Sequence, residues 1–377
     1  MRAVRFYGAG DIRVDQIEEP VCGEGQVKIR PAFVGICGSD LHEYTCGPHL
    51  VPLTPHAITG GQLPTTLGHE FSGTVEEVGT GVAGVVANLK VGDRVAVRPN
   101  LNDGNCPPCL RGTPNCCRNL GFVGYSSRFD LFPNVCFGYH QAEKFQGNAG
   151  GLSDHVVVDA ELAIPLPDNI PLDIGALVEP LSVAWHAANR SPLEGARTAL
   201  VVGGGPIGLA VVQVLLARGV ESIIIAEVSS RRREFAKILG ATHVLDPRTE
   251  DVVSMVRAMT GNAGVDVAFE CSGVQAGLDT ALRGIRVRGT VTIVSLWEAK
   301  PSIDASAIVL DEKHVIGAAI FADGIFPAVI EAISSGKLNP QTMITSKIRM
   351  EDIVEKGFEA LINEKDKHVK ILVDISA

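Results

Sequence analysis

Three short stretches of the 377-residue chain carry side chains whose types suit a metal ion: Cys37 in GICGSDLH, His69 and Glu70 in LGHEFSG, and Glu179 in LVEPLS. A soft thiolate, an imidazole and a carboxylate make a mixed donor set suited to zinc, with one position left open for water or substrate. Zinc held there would acidify an alcohol hydroxyl, after which a hydride can leave the carbinol carbon. Spacing alone does not bring these residues together, because a single buried cysteine commonly packs as a small hydrophobe. A hydride also needs an acceptor, and a second motif supplies one. Gly203, Gly205 and Gly208 form G-x-G-x-x-G after the apolar run ALVV, and Pro206 and Ile207 open the stretch PIGLAVVQVLLARG. Such glycines permit a tight turn and a close approach of backbone to a pyrophosphate, whose charge rests on a helix N-terminus. Glu227 closes the next apolar run, IIIAE, 24 residues after Gly203. A carboxylate at that point binds the ribose hydroxyls and repels a 2′-phosphate, so NAD is expected rather than NADP. Arg231 and Arg232 follow. Arg232 is assigned to the adenosine side of the cofactor, although an arginine here is also the residue type that accommodates a phosphate.

The elements needed to position these residues fall into two textures. Up to about residue 160 the chain reads as short alternating strands broken by Gly, Pro and Asp, among them residues 26–36, 71–79 and 93–99. That pattern predicts a β-rich barrel or sandwich with long loops. After about residue 180, nearly continuous apolar runs at 198–204, 221–228, 265–273, 290–296 and 314–320 alternate with helical stretches such as PIGLAVVQVLLARG and SRRREFAKILG. Alternating β and α predicts a doubly wound α/β domain around a parallel sheet. The tail from GIFPAVIEAISSGKLNP onward changes character again and is expected to return to the first domain.

Composition excludes several other classes. Hydrophobic residues at 46% and charged residues at 20% are ordinary for a globular enzyme. A formal charge of −10 argues against nucleic acid or an anionic membrane as partner, since both demand a cationic face. The apolar stretch from Thr198 to Ala217 is long enough to raise a membrane span, but GGGP in its middle and Gln213 favour a strand, a turn and a helix. MRAVRFYGAG lacks the apolar core of a signal peptide. The expectation is a soluble, cytoplasmic protein. Eight of the nine cysteines lie between Cys22 and Cys136, a clustering that in such a protein points to metal rather than disulfides.

In order along the chain, GICGSDLH, GHEFSGTV, VGDRVAVRP, VEPLSVAWHA and VVGGGPIG resemble the zinc-containing medium-chain dehydrogenase/reductase family over essentially the whole length. The resemblance implies a GroES-like catalytic domain at residues 1–180 and 321–377, with a Rossmann NAD-binding domain at 181–320. It implies that Cys37 and His69 ligate a catalytic zinc, with Glu179 ranked ahead of Glu70 as the carboxylate. Ser39 is expected to touch the substrate oxygen, and His42 to pass the proton toward solvent through the cofactor ribose. The family's structural zinc lobe falls on DGNCPPCLRGTPNCC, where Asp103 stands in place of the usual first cysteine. Cys106, Cys109 and Cys117 complete an expected Cys3Asp site, and the competing reading is a lobe that keeps its shape without metal. Homo-oligomers, dimer or tetramer, with Rossmann edges paired across a two-fold axis, are implied as well.

Within the family, GICGSDLHEY followed by GPHLVP and a late LGHEFSG resembles the butanediol dehydrogenases. Relatives acting on sorbitol or threonine carry a shorter segment between the cysteine and the histidine, where this chain has 31 residues. Lys and Arg are absent from Ile36 to Phe71, which leaves no cation there to grip an amino-acid carboxylate. His49 and His56 in the same loop are candidates to contact a diol hydroxyl, against the plainer reading of loop histidines. The intact ligand set disfavours a non-catalytic NAD-binding relative and a zinc-free quinone reductase. The aromatic-rich segment between Gly121 and Gly151 is longer than the family needs, and is expected to shape the pocket mouth or an oligomer contact.

Overall fold

In the computed structural model, which describes residues 1–84, 86–125 and 150–377, the N-terminal runs pair into a mixed sheet. Its order is Ala163–Pro165, Arg94–Val97, Glu70–Val78, Gln26–Gly35, Lys370–Asp374 and Ile344–Arg349, with Val156–Asp159 also pairing with Gln26–Gly35. Alternation explains the central strand: Val27, Ile29 and Val34 are fully buried, while Arg30 faces solvent. A three-stranded sheet of Asp11–Gln16, Arg2–Gly8 and Thr65–Thr66 completes this β-rich unit.

The second half forms a six-stranded parallel sheet, ordered His243–Leu245, Ser222–Ala226, Thr198–Val202, Val265–Glu270, Ile285–Ile293 and His314–Gly317. Ile223, Ile224 and Ile225 are all fully buried, so both faces of the sheet are covered and alternation disappears. The apolar stretch from Thr198 to Ala217 divides into the strand Thr198–Val202 and the helix Pro206–Ala217. Among the described residues no helix is long and apolar enough to cross a membrane. Strand order reverses between Thr198–Val202 and Val265–Glu270, which opens a crevice at their C-terminal ends where ligands of this fold class bind.

Two boundaries differ from the reading of the sequence. The strand expected at 290–296 begins at Ile285, because its exposed first part, Arg286–Arg288, carries no apolar signal. The tail does not leave the Rossmann layer at residue 321. Phe321, Ile325, Phe326 and Val329 share a core with Val201, Leu209 and Phe269. The chain re-enters the first sheet only at Ile344–Arg349, pairing there with Lys370–Asp374. The notebook-length insertion after Tyr125 that was expected to shape the pocket mouth, residues 126–149, lies outside the described residues.

Candidate active site

Register brings distant residues to one end of the first sheet. Gly35 ends its strand opposite Glu70, which begins the next, and Leu372 pairs with Gly35 from the other side. Because both neighbours run antiparallel to Gln26–Gly35, their first residues, Glu70 and Lys370, stand beside the end of that strand, where Cys37 follows. Ligand atoms of Cys37, His69 and Glu70 lie within 4.8 Å of one another. A Cβ on Gly35 would overlap the Glu70 carboxylate, so glycine there leaves it room. Glu179 lies in the first turn of the helix Val178–Arg190, buried, and lines the same cleft, but does not join the three-residue cluster. The ranking of Glu179 ahead of Glu70 is thereby reversed on geometry, since the residue adjacent to His69 shares its strand end.

The donor set suits a cation by its own chemistry. Burial, with Glu70 beside it, pushes the Cys37 thiol well above the ordinary thiol range, so a nearby cation is what would favour the thiolate. The buried Nδ1 of His69 has no hydrogen-bond partner and faces Asp40 Oδ1 at 3.8 Å. Burial pushes the Glu179 carboxyl up to about 7, with His69 opposing and Glu70 adding to the rise. Lys370 is 1% exposed and spends its three donors on Ile36 O at 3.1 Å and on Glu70 Oε1 and Oε2 at 2.8 and 2.6 Å. Burial works against its charge, yet Glu70 outweighs that and holds the ammonium above the ordinary lysine value.

Ser39 and His42 both sit on the helix Gly38–Cys46 and line the cleft. Asp40 Oδ2 accepts the Cys37 amide at 2.8 Å and so fixes the start of this helix. The Tyr125 hydroxyl lies 2.5 Å from Asp40 Oδ1 and 3.1 Å from Ser39 Oγ, and its ring packs 4.9 Å from that of His69. His42 stands nearer solvent, with Nδ1 3.3 Å from Glu298 Oε1 on the Rossmann side. His49 and His56 do not line the cleft. His56 Nδ1 accepts the Ile58 and Thr59 amides, as a loop histidine does.

The cleft, about 1520 Å³, runs from this cluster to the Gly-rich turn. Gly203 adopts a φ of +98°, a left-handed conformation that favours glycine, and a Cβ on Gly208 would overlap the Gly203 carbonyl. Gly205 caps the helix Pro206–Ala217, and Pro206 and Ile207 line the cleft. Glu227 is 5% exposed at the end of its strand, with Oε2 accepting the Gly204 amide at 2.5 Å and Oε1 the Ser229 amide at 2.7 Å. Arg232 lines the cleft with its buried Nε unpartnered, whereas Arg231 turns outward to Glu234 at 2.6 Å. Glycine turn, helix N-terminus and terminal carboxylate fit a dinucleotide.

Asp103, Cys106, Cys109 and Cys117 form a second cluster, again with ligand atoms within 4.8 Å of one another. Cys116 is exposed and stays outside it, as expected from the loop spacing. Although burial opposes it, the Cys106 and Asn105 amides hold the Asp103 carboxyl down to about 2. Burial pushes Cys109 up to about 11 and raises Cys117 as well. Backbone amides of Asp103 and Asn119 donate to Cys117 Sγ at 3.4 and 3.3 Å. An ionised carboxylate beside three converging sulfurs fits a divalent metal better than it fits an empty loop.

Residues 206–335 match the zinc-binding dehydrogenase family, and residues 23–168 match the alcohol dehydrogenase GroES-like domain. The chain belongs to this family of zinc-binding dehydrogenases, and it is a zinc-dependent, NAD-linked oxidoreductase of the alcohol dehydrogenase class. Among its relatives, (R,R)-butanediol dehydrogenase of Bacillus subtilis is 42% identical over 99% of both chains. That of Neisseria gonorrhoeae is 38% identical, also over 99% of both. The crystal structure of 2R,3R-butanediol dehydrogenase from Bacillus subtilis superposes with a TM-score of 0.88 at 41% identity, covering 100% of this chain and 99% of the other.

Four polar residues of the site escaped the sequence reading. Asp40 adjoins Ser39 and could have been suspected from that. Glu298, Tyr125 and Lys370 carry no local signal, because only the folded register brings them to the cleft.

Proposed function

We propose that the chain interconverts butane-2,3-diol and acetoin, with Cys37, His69 and Glu70 holding the catalytic zinc and Glu179 in reserve beside them. The observation that carries this reading is the convergence of a thiol, an imidazole and a carboxylate on one cleft with the Gly203–Gly208 turn. Zinc and NAD, when bound, supply acidification of the alcohol hydroxyl and a hydride acceptor. The remaining work belongs to the chain. Ser39 accepts the hydroxyl proton, and His42, near solvent and able to titrate near neutrality, releases it. Glu227 and Arg232, with Gly203, Gly205, Pro206, Ile207 and Gly208, orient the dinucleotide.

A short diol is favoured by the wall of the cleft, which includes Leu41, Leu50, Phe122, Leu296 and Ile320. Such a wall suits methyl groups, whereas a sorbitol chain would need a partner for each further hydroxyl. Asp103, Cys106, Cys109 and Cys117 are assigned a structural zinc that stabilises their loop and takes no part in the reaction. Residues 1–180 and 321–377 are assigned to catalysis and 181–320 to the cofactor, in a cytoplasmic homo-oligomer built by pairing Rossmann edges. Measuring NAD reduction side by side with (2R,3R)-butanediol, sorbitol and L-threonine tests the substrate. Butanediol should give the highest kcat/KM, and preference for either rival would overturn the assignment.

A further inference from the structure

We propose that Tyr125 is a positioning residue for the reaction, holding the Ser39 hydroxyl so that its oxygen presents a lone pair to the substrate hydroxyl. This rests on the reading of Ser39 as proton acceptor. Hydrogen accounting gives the argument. Tyr125 owns one hydrogen and stands between two oxygens, Asp40 Oδ1 at 2.5 Å and Ser39 Oγ at 3.1 Å. Asp40 is fully buried and already accepts the Cys37 amide on its other oxygen. A carboxylate only accepts, and hydrogen bonds to an ionised group are the shorter and stronger kind. The phenol hydrogen therefore belongs to Asp40. The 3.1 Å contact must then be carried by the hydrogen of Ser39, pointing at the Tyr125 oxygen.

That direction matters for oxidation. A serine hydroxyl has one hydrogen and two lone pairs, and an acceptor of the substrate proton must keep its own hydrogen elsewhere. Among the described residues, Tyr125 makes the only hydrogen bond to Ser39 Oγ. Tyr125 itself has little freedom to move. It is 3% exposed, its amide donates to Phe122 O at 3.0 Å, and its ring is wedged against His69. Phenylalanine at this position would keep the packing and release the serine to rotate.

The test is a double-mutant cycle on the zinc-loaded enzyme. Tyr125→Phe should lower kcat for diol oxidation about tenfold, the worth of one buried hydrogen bond, with KM changed by less than about twofold. Zinc content and NADH binding, followed by fluorescence, should match the unsubstituted protein. In a Ser39→Ala background, Tyr125→Phe should add less than about a twofold further loss, because the two act through one hydrogen bond. An unchanged kcat in Tyr125→Phe, or fully additive losses in the pair, would overturn the proposal. So would a fall in zinc content, NADH binding or folding, which would make the phenol part of the scaffold around His69. An unimpaired Ser39→Ala would instead strike the role given to Ser39 itself.

Discussion

At the scale of single residues, Glu70 carries two demands at once. It belongs to the Cys37–His69 cluster, and both of its oxygens are held by the buried ammonium of Lys370. Truncating one partner of a buried pair strands the other charge, so Lys370→Ala should cost the metal-free protein about 3–5 kcal/mol in urea unfolding. A loss under about 1 kcal/mol would mean that Glu70 finds water or a proton instead. The two carboxylates can be separated in the same way. Glu70→Gln should weaken zinc binding at least about tenfold by metal competition, while Glu179→Gln retains the ion. The reverse order would return the ligand role to Glu179. Cys37→Ala should leave NADH binding intact and cut kcat by about 10³-fold or more, the scale of losing a Lewis acid worth several kcal/mol. Cys37, His69 and both glutamates were legible as residue types beside short motifs. Their order of importance was not, because a carboxylate's distance from a metal site depends on strand register that one sequence does not display.

At the scale of elements, the helix Val178–Arg190 links the parts. It carries Glu179 at its start and His186 further along, where His186 Nε2 lies 3.5 Å from Asn115 Nδ2 of the cysteine lobe. Burial, with Arg190 adding to it, holds the His186 imidazole below its ordinary value of 6.5. The unfolded chain therefore binds more protons than the fold below that pH. Stability from this group is fully present above about 6.5 and is lost as pH falls through the folded value. Between about pH 7 and pH 5 the protein should lose more thermal stability than His186→Gln does. Parallel curves for the two would show that the imidazole is not kept neutral by the fold. Elements themselves were the most readable layer. The strand Thr198–Val202 and the helix Pro206–Ala217 came from apolar runs and glycine punctuation alone. The exposed start of Ile285–Ile293 did not, since pairing rather than hydrophobicity makes it a strand.

At the scale of the whole molecule, the parallel sheet ends on an open edge. Among the described residues, His314–Gly317 is paired on one side only, with Ile285–Ile293. The helix Ala305–Leu310 beside it in sequence exposes Val309 at 72% and Leu310 at 83%. An unpaired edge next to bare aliphatic side chains invites uncontrolled association unless something covers it. Two copies related by a two-fold axis would cover it in a closed manner, each edge pairing with the other and each aliphatic pair packing against its mate. Light scattering at micromolar concentration should then report a dimer or a multiple of one. Val309→Asp with Leu310→Asp should shift the mass toward the monomer, because charge at the centre of an apolar contact leaves it desolvated and unpaired. Zinc content and NADH binding should persist in that variant, since neither residue lines the catalytic cleft. A monomeric parent protein would remove the need for the contact, and an unshifted mass in the double variant would place the interface on another face.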